Sequence, residues 1–154
     1  MKTKPIFLTL ALCLAGGAIS LADSPLMGTW KLNEGKSKLV KSMGKNNTVL
    51  YESAGRTVKI TVDGVDAKGH ATHNEWAGRF DGKDYPVKGD PNIDTRSYKK
   101  VTDHILDMAN KKDGKVMTTG QVVVSDDGKS RTVTVTGVDP NGKKFNLKAV
   151  YDKQ

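Results

Sequence analysis

The chain has 154 residues, a formal net charge of +8 and a single cysteine. That length suits one domain with a core of its own and is short for more. The basic balance favours acidic partners such as anionic lipid headgroups or polysaccharide, yet the lysines are spread rather than blocked, as on a surface that needs only solubility, and no specific nucleic-acid site is expected.

At the N-terminus, Lys2 and Lys4 precede an apolar run from Ile6 to Ala15, and a small-residue stretch then ends in Ser20-Leu21-Ala22. This is the layout of a secretory signal peptide: a positive start, an apolar centre and an A-x-A-like site. Residues 1–22 are therefore expected to be removed, leaving 23–154 as a single domain in the periplasm or outside the cell. Cys13 falls inside the leader, so the mature chain has no disulfide, and burial and sheet pairing have to stabilise it. Leu12 before Cys13 does not suit a lipoprotein signal. The stretch 6–22 is broken by Gly16 and Gly17 and is short for a membrane span. No later segment is apolar enough to cross.

The rest of the chain alternates with period two. Val58, Ile60 and Val62 alternate with Thr57, Lys59 and Thr61; Val133 and Val135 alternate with Thr132, Thr134 and Thr136. Each is the pattern of a half-buried strand. Between such runs lie Asp63-Gly64, Asp81-Gly82, Asp113-Gly114, Asp127-Gly128 and Asn141-Gly142, dipeptides that accept the backbone of tight hairpin turns. Strands are predicted at 27–33, 47–54, 56–63, 69–80, 83–88, 94–101, 104–111, 115–125, 130–138 and 143–152. Consecutive hairpins of this number leave two exposed edges unless the sheet closes. The fold class is therefore all-β, an antiparallel up-and-down β-barrel of 8–10 strands, with a two-sheet sandwich as the alternative. The widest gap, Glu34 to Asn46, holds a short helix or an irregular flap. A faint internal repeat pairs 56–66 with 131–139, as two similar half-barrels would, or as any two Thr/Val hairpins would.

Gly28-Thr29-Trp30-Lys31-Leu32 opens the first strand. A glycine lets the chain enter a barrel floor closely, and an indole can plug the closed end with its N–H on a backbone carbonyl. This segment resembles the first-strand signature of the calycins, the lipocalins and cytosolic fatty-acid-binding proteins. Val150-Tyr151-Asp152-Lys153 is similar to the closing strand of the fatty-acid-binding group. The whole chain resembles small secreted bacterial lipocalin-like proteins, which share the Gly-Thr-Trp-Lys-Leu-Asn start, Asp-Gly-Lys turns and the Val-Tyr-Asp-Lys end. The resemblance implies a calycin barrel in which Gly28, Trp30 and Tyr151 are structural. It departs from the family in places. Glu34 to Asn46 is too short and polar for a two-helix lid, the disulfides common in lipocalins are impossible, and two tryptophans cannot make the ligand box of an avidin.

Arg96-Ser97-Tyr98 places a guanidinium and a phenol on one face of a strand, a pair able to hold a carboxylate by charge-assisted hydrogen bonds. The fatty-acid-binding group uses such a pair on its last strand; here it lies mid-chain. His70, Asn74, Trp76 and Phe80 are expected on one inward face. Arg96, Tyr98 and Trp76 are the candidate ligand contacts. His70 and His73 face opposite ways on a strand and offer no metal site, and no cofactor is expected. No nucleophile elbow, His-Glu-x-x-His, phosphate loop or dinucleotide fingerprint is present, and the acids sit mostly in turns, so no enzyme is expected. Two readings follow. One is an exported, non-catalytic binding protein for a small apolar or amphipathic ligand. The other is a filled barrel acting through its basic surface on envelope polyanions or as a protein-binding or inhibitor module.

Overall fold

A computed structural model describes residues 21–139 and 141–154; residues 1–20, which hold most of the expected leader and Cys13, lie outside them. Ten strands follow one another: β1 (Gly28–Leu32), β2 (Lys45–Ala54), β3 (Thr57–Val65), β4 (Ala71–Gly78), β5 (Asp81–Lys88), β6 (Thr95–Lys100), β7 (Ile105–Lys112), β8 (Lys115–Val124), β9 (Ser130–Val138) and β10 (Lys144–Lys153). Each pairs antiparallel with its neighbours, and β1 pairs with both β2 and β10, so the sheet closes into an up-and-down barrel. Every expected strand is present, and none merges with a neighbour.

The turns divide the expected Asp-Gly pairs into two kinds. At Asp113-Gly114 both residues take positive φ, 49° and 74°, the signature of a two-residue type I′ hairpin between β7 and β8. Asp63-Gly64, by contrast, is not a turn. It lies within β3, where β2 bulges between Asn46 and Thr48. A Cβ on Gly64 would sit 2.2 Å from the Lys45 carbonyl oxygen, so this glycine serves close backbone approach. The β3–β4 connection comes later, at 66–70, where the Asp66 carboxylate accepts the backbone N–H of Lys68 at 2.8 Å and of His70 at 2.9 Å. Those bonds hold the Asp66 carboxyl below its ordinary pKa, the His70 bond contributing most. His70 is consequently an exposed loop residue paired to Asp66, not part of the inward face of β4.

The core gathers at one end. Alternation turns Val58, Ile60, Trp76, Leu106, Val122 and Val124 inward, into one buried cluster with Trp30 and with Leu26 from the segment before β1. Trp30 is 0% exposed. Its indole N–H donates to the Leu26 carbonyl at 3.1 Å, so the segment before β1 is folded across the barrel end by that bond. Chain closure follows from the same strand: Trp30 pairs with Lys153 on one side and Val49 on the other.

The segment after β1 is not a helical lid. It forms two single 3-10 turns, Glu34–Lys36 and Lys41–Met43, and is stitched to β10. Asn33 donates its backbone N–H to the Val150 carbonyl at 2.8 Å, the Val150 N–H donates to Ser37 Oγ at 2.8 Å, and Lys38 and Lys148 exchange backbone bonds of 2.7 and 2.9 Å. This covers the outer face of Val150, which explains why three successive residues of β10, Ala149, Val150 and Tyr151, are all buried.

Trp30→Ala is expected to destabilise the barrel by about 3–5 kcal/mol through the void it leaves. Trp30→Phe, which fills more of the space but strands the Leu26 carbonyl, is expected to cost about 1–3 kcal/mol. Urea melts followed by far-ultraviolet circular dichroism would measure both, and equal stability of Trp30→Ala and wild type would refute the plug.

Candidate functional site

Above the plugged end the barrel is hollow. A cavity of about 450 Å³ runs from the Tyr51, Tyr98, Arg131 and Tyr151 level to the far end of the barrel. That size is in the range of small-molecule sites. Its mouth is framed by Leu39, Val40 and Met43 of the stitched segment, by Val65 at the end of β3 and Asp66 after it, and by Gly89 to Ile93 between β5 and β6.

The wall has two characters. Val133 and Val135 of β9, with Phe145, Leu147 and Ala149 of β10, make an apolar side. The rest of the wall, from β4, β6, β7 and β8, carries polar side chains among Met108 and Val122. There Arg96 Nε donates to Asn110 Oδ1 at 2.6 Å, and Asn110 Nδ2 donates to Thr118 Oγ1 at 2.8 Å. This relay satisfies one guanidinium N–H of Arg96 inside the barrel and fixes the side chain by its neighbours on β7 and β8. Of the threonines noted in the sequence, Thr132, Thr134 and Thr136 lie on the outward face of β9, which leaves the apolar wall free of hydroxyls.

Arg96 and Tyr98 both line the cavity, two residues apart on β6. Trp76 does not. On β4 the wall reaches Thr72 and Asn74 and stops short of it. Trp76 lies beneath, its indole N–H donating to the Arg96 carbonyl at 2.8 Å and its ring packed against Phe80, Tyr85 and Tyr98 at centroid distances of 6.3, 5.7 and 5.0 Å. It positions Arg96 and Tyr98 from below. Trp76 faces inward as its strand pattern requires, but the aromatic stack occupies the space in front of it.

Arg131, Asn110 and Tyr51 are cavity residues that the reading of the sequence did not single out. Arg131 is 2% exposed. Its guanidinium carbon lies 4.7 Å from the ring centroid of Tyr151, 4.8 Å from that of Tyr51 and 5.1 Å from that of Trp30. A signal for it existed, because Arg131 continues the inward series of Val133 and Val135 by one step of two. Burial raises the Tyr51 phenol well above its ordinary pKa, the adjoining Tyr98 adds to this, and Arg131 and Arg96 oppose it. Burial likewise raises Tyr151, against the opposing field of Arg131. Both phenols therefore hold their protons more tightly than a free tyrosine does.

No protein-family model matches this chain, and no curated protein does. Among solved structures, the chain is similar to EF1p2_mFAP2b bound to DFHBI, with 15% identity, a TM-score of 0.47, and coverage of 86% of this chain and 97% of that one. It is also similar to a redesigned beta barrel, mFAP1, bound to DFHBI, with 17% identity, a TM-score of 0.46, and coverage of 87% of this chain and 100% of that one.

The raised phenols give a pH dependence with a definite sign. A free tyrosine titrates near 10.0. Above that pH the unfolded chain gives up phenol protons that the barrel still holds, so unfolding releases protons and stability falls as pH rises; below it this contribution is fully present. The urea midpoint is expected to drop between about pH 9 and 11, and to drop less in Tyr51→Phe. An identical slope in the variant would contradict the assignment.

Proposed function

We propose that this chain is an exported, lipocalin-like carrier of a small amphipathic molecule, non-catalytic, working in the periplasm or outside the cell. The observation that carries the reading is the cavity of about 450 Å³, with an apolar patch of Val133, Val135, Phe145, Leu147 and Ala149 and polar groups from Asn74, Arg96, Asn110, Thr118 and Arg131. An all-apolar interior would collapse on itself or take an all-apolar guest. A mixed one suits a molecule with an alkyl body and a polar end. In this reading Arg96 and Tyr98 meet that polar end; the bonds of Arg96 to Asn110 and Trp76 support it. Leu39, Val40 and Met43 supply an apolar rim that the alkyl part passes on entry.

The leader signature at residues 1–22 supports export. Among the described residues, no helix is long and apolar enough to cross a membrane. The resemblance of the Gly28-to-Leu32 and Val150-to-Lys153 segments to calycin strands supports the carrier role at the level of family likeness.

Two measurements test this. Native mass spectrometry of protein purified without organic solvent is expected to show a retained lipid-sized mass. The double variant Val135→Trp, Leu147→Trp, whose rings fill the apolar side, is expected to lose it while keeping the wild-type circular dichroism spectrum. An empty wild-type barrel that instead binds anionic polymers in a salt-sensitive way would overturn the reading in favour of a surface-acting module. For the export claim, N-terminal sequencing of the protein recovered outside the cytoplasm is expected to begin at Asp23; recovery of the intact leader in the cytoplasm would refute it.

A further inference from the structure

We propose that Arg131 is the head-group receptor of the cavity, and that the molecule it takes is a single-chain oxyanionic amphiphile, bound head-first and carrying a hydroxyl along its chain. This deepens the carrier reading and rests on it.

The Arg131 side chain lacks hydrogen-bond acceptors. Its Nε and Nη1 atoms are buried and have no hydrogen-bond partner, and among the described residues it makes no ion pair. The rings of Trp30, Tyr51 and Tyr151 pack close around the guanidinium carbon. Rings satisfy the flat faces of a guanidinium; they leave its edge N–H groups needing acceptors in its own plane. Those acceptors are what a carboxylate or phosphate provides.

Charge points the same way. Arg96 and Arg131 are both buried and both line the cavity, and both act on Tyr51 from nearby. The carboxylates on the cavity wall, Asp66 and Asp90, belong to the mouth loops, and the Asp66 carboxylate is committed to the N–H groups of its own loop. Two cations therefore share the inner part of the cavity, and among the described residues that line it no acid lies deeper than the mouth loops. A buried cation is costly unless it is paired, and an anion arriving with the ligand supplies the missing partner.

A second orphan group sits higher. Asn74 is buried on β4, between Thr72 near the mouth and Trp76 below the floor, and its Oδ1 is without a hydrogen-bond partner. A hydroxyl on the ligand chain, able to donate or accept, satisfies the amide whichever way it is turned. An unsubstituted alkyl chain at that level would leave it unsatisfied.

The experiment is titration calorimetry on the purified protein with dodecanoate, dodecyl phosphate, dodecanol and dodecyltrimethylammonium. The two anions are expected to bind at least about ten-fold tighter than dodecanol, and the cation not at all. Whichever anion is tighter identifies the head as carboxylate or phosphate. Arg131→Met, close in volume and uncharged, is expected to bind dodecanol as before and lose the preference for anions. A set of dodecanoates hydroxylated at successive carbons is expected to include one member bound at least three-fold tighter than dodecanoate, a gain that Asn74→Leu removes. Dodecanol binding as tightly as dodecanoate, or Arg131→Met keeping the anion preference, would overturn the role of Arg131 and leave the carrier reading standing. Absence of any hydroxyl gain would remove Asn74 from the site. If none of these amphiphiles bound, the carrier reading would fall as well. The head-group series is read on wild-type protein, so it decides the matter even if Arg131→Met does not fold.

Discussion

The strand β1 contributes only Gly28 to Leu32, yet it carries the hydrogen bonds that join the first hairpin to the last strand. A barrel with ten antiparallel strands has no edge only while this short strand stays in place. Its position depends less on its own ladder than on Trp30, which faces inward, is fully buried and ties the preceding chain to itself through Leu26. Trp30 also forms one wall of the cage around Arg131. Sheet closure, the sealing of one end and the placing of a cation at the bottom of the cavity are thus three consequences of one side chain.

The interior is unusual for a chain that has no disulfide to stabilise it. Each cation–π contact is worth about 0.5–2 kcal/mol, whereas the effective cost of taking an ion out of water is several kcal/mol even after relaxation. Three rings around Arg131 bring those figures to comparable size, but they act on the guanidinium faces and leave two buried N–H atoms unsatisfied. Arg96 is treated differently. It has a hydrogen-bond relay through Asn110 to Thr118, and Trp76 holds its backbone carbonyl. One arginine is built into the wall; the other is held in position without being satisfied. That contrast, more than the presence of arginine as such, marks Arg131 as the group in greater need of acceptors from a ligand, beside an Arg96 whose Nε the wall already holds.

The strands were legible because their physics is local. Alternation in Thr57–Val62 and Thr132–Thr136 and the doublet Asp113-Gly114 each settle their own few residues. The misreadings are non-local. Asp63-Gly64 has the composition of a turn, but Lys45 crosses so close that only a glycine fits, and the strand runs on to Val65. His70 continues the parity of Asn74 and Trp76, but Asp66 captures it in a loop before the strand begins. Arg96 and Tyr98 could be placed on one face from their spacing alone, whereas the stack that keeps Trp76 off the cavity wall is assembled from β4, β5, β6 and the residue Phe80 between strands. Arg131 was hidden for a different reason. Parity put it inside, but a charged residue at the start of a strand ordinarily marks the solvent end, and only the ring positions of Trp30, Tyr51 and Tyr151, from three other strands, make an interior place for it.

The segment stitched to β10 after β1 also frames the mouth of the cavity. The chain between β1 and β2 is anchored at one end by the Lys38–Lys148 backbone exchange. At the other end, Gly44 (φ 73°) packs so tightly that a Cβ there would meet the Val65 carbonyl at 2.2 Å. Between these fixed points the free stretch is 39–43, and Leu39, Val40 and Met43, three residues of the mouth, lie within it. A lid of two packed helices would have to move as a body to admit a ligand. Here a single turn between two anchors, with no buried residue of its own, needs only local opening, which belongs to the low-stability end of the range of motions in a folded domain. Access is therefore separated from the ladder that maintains the barrel.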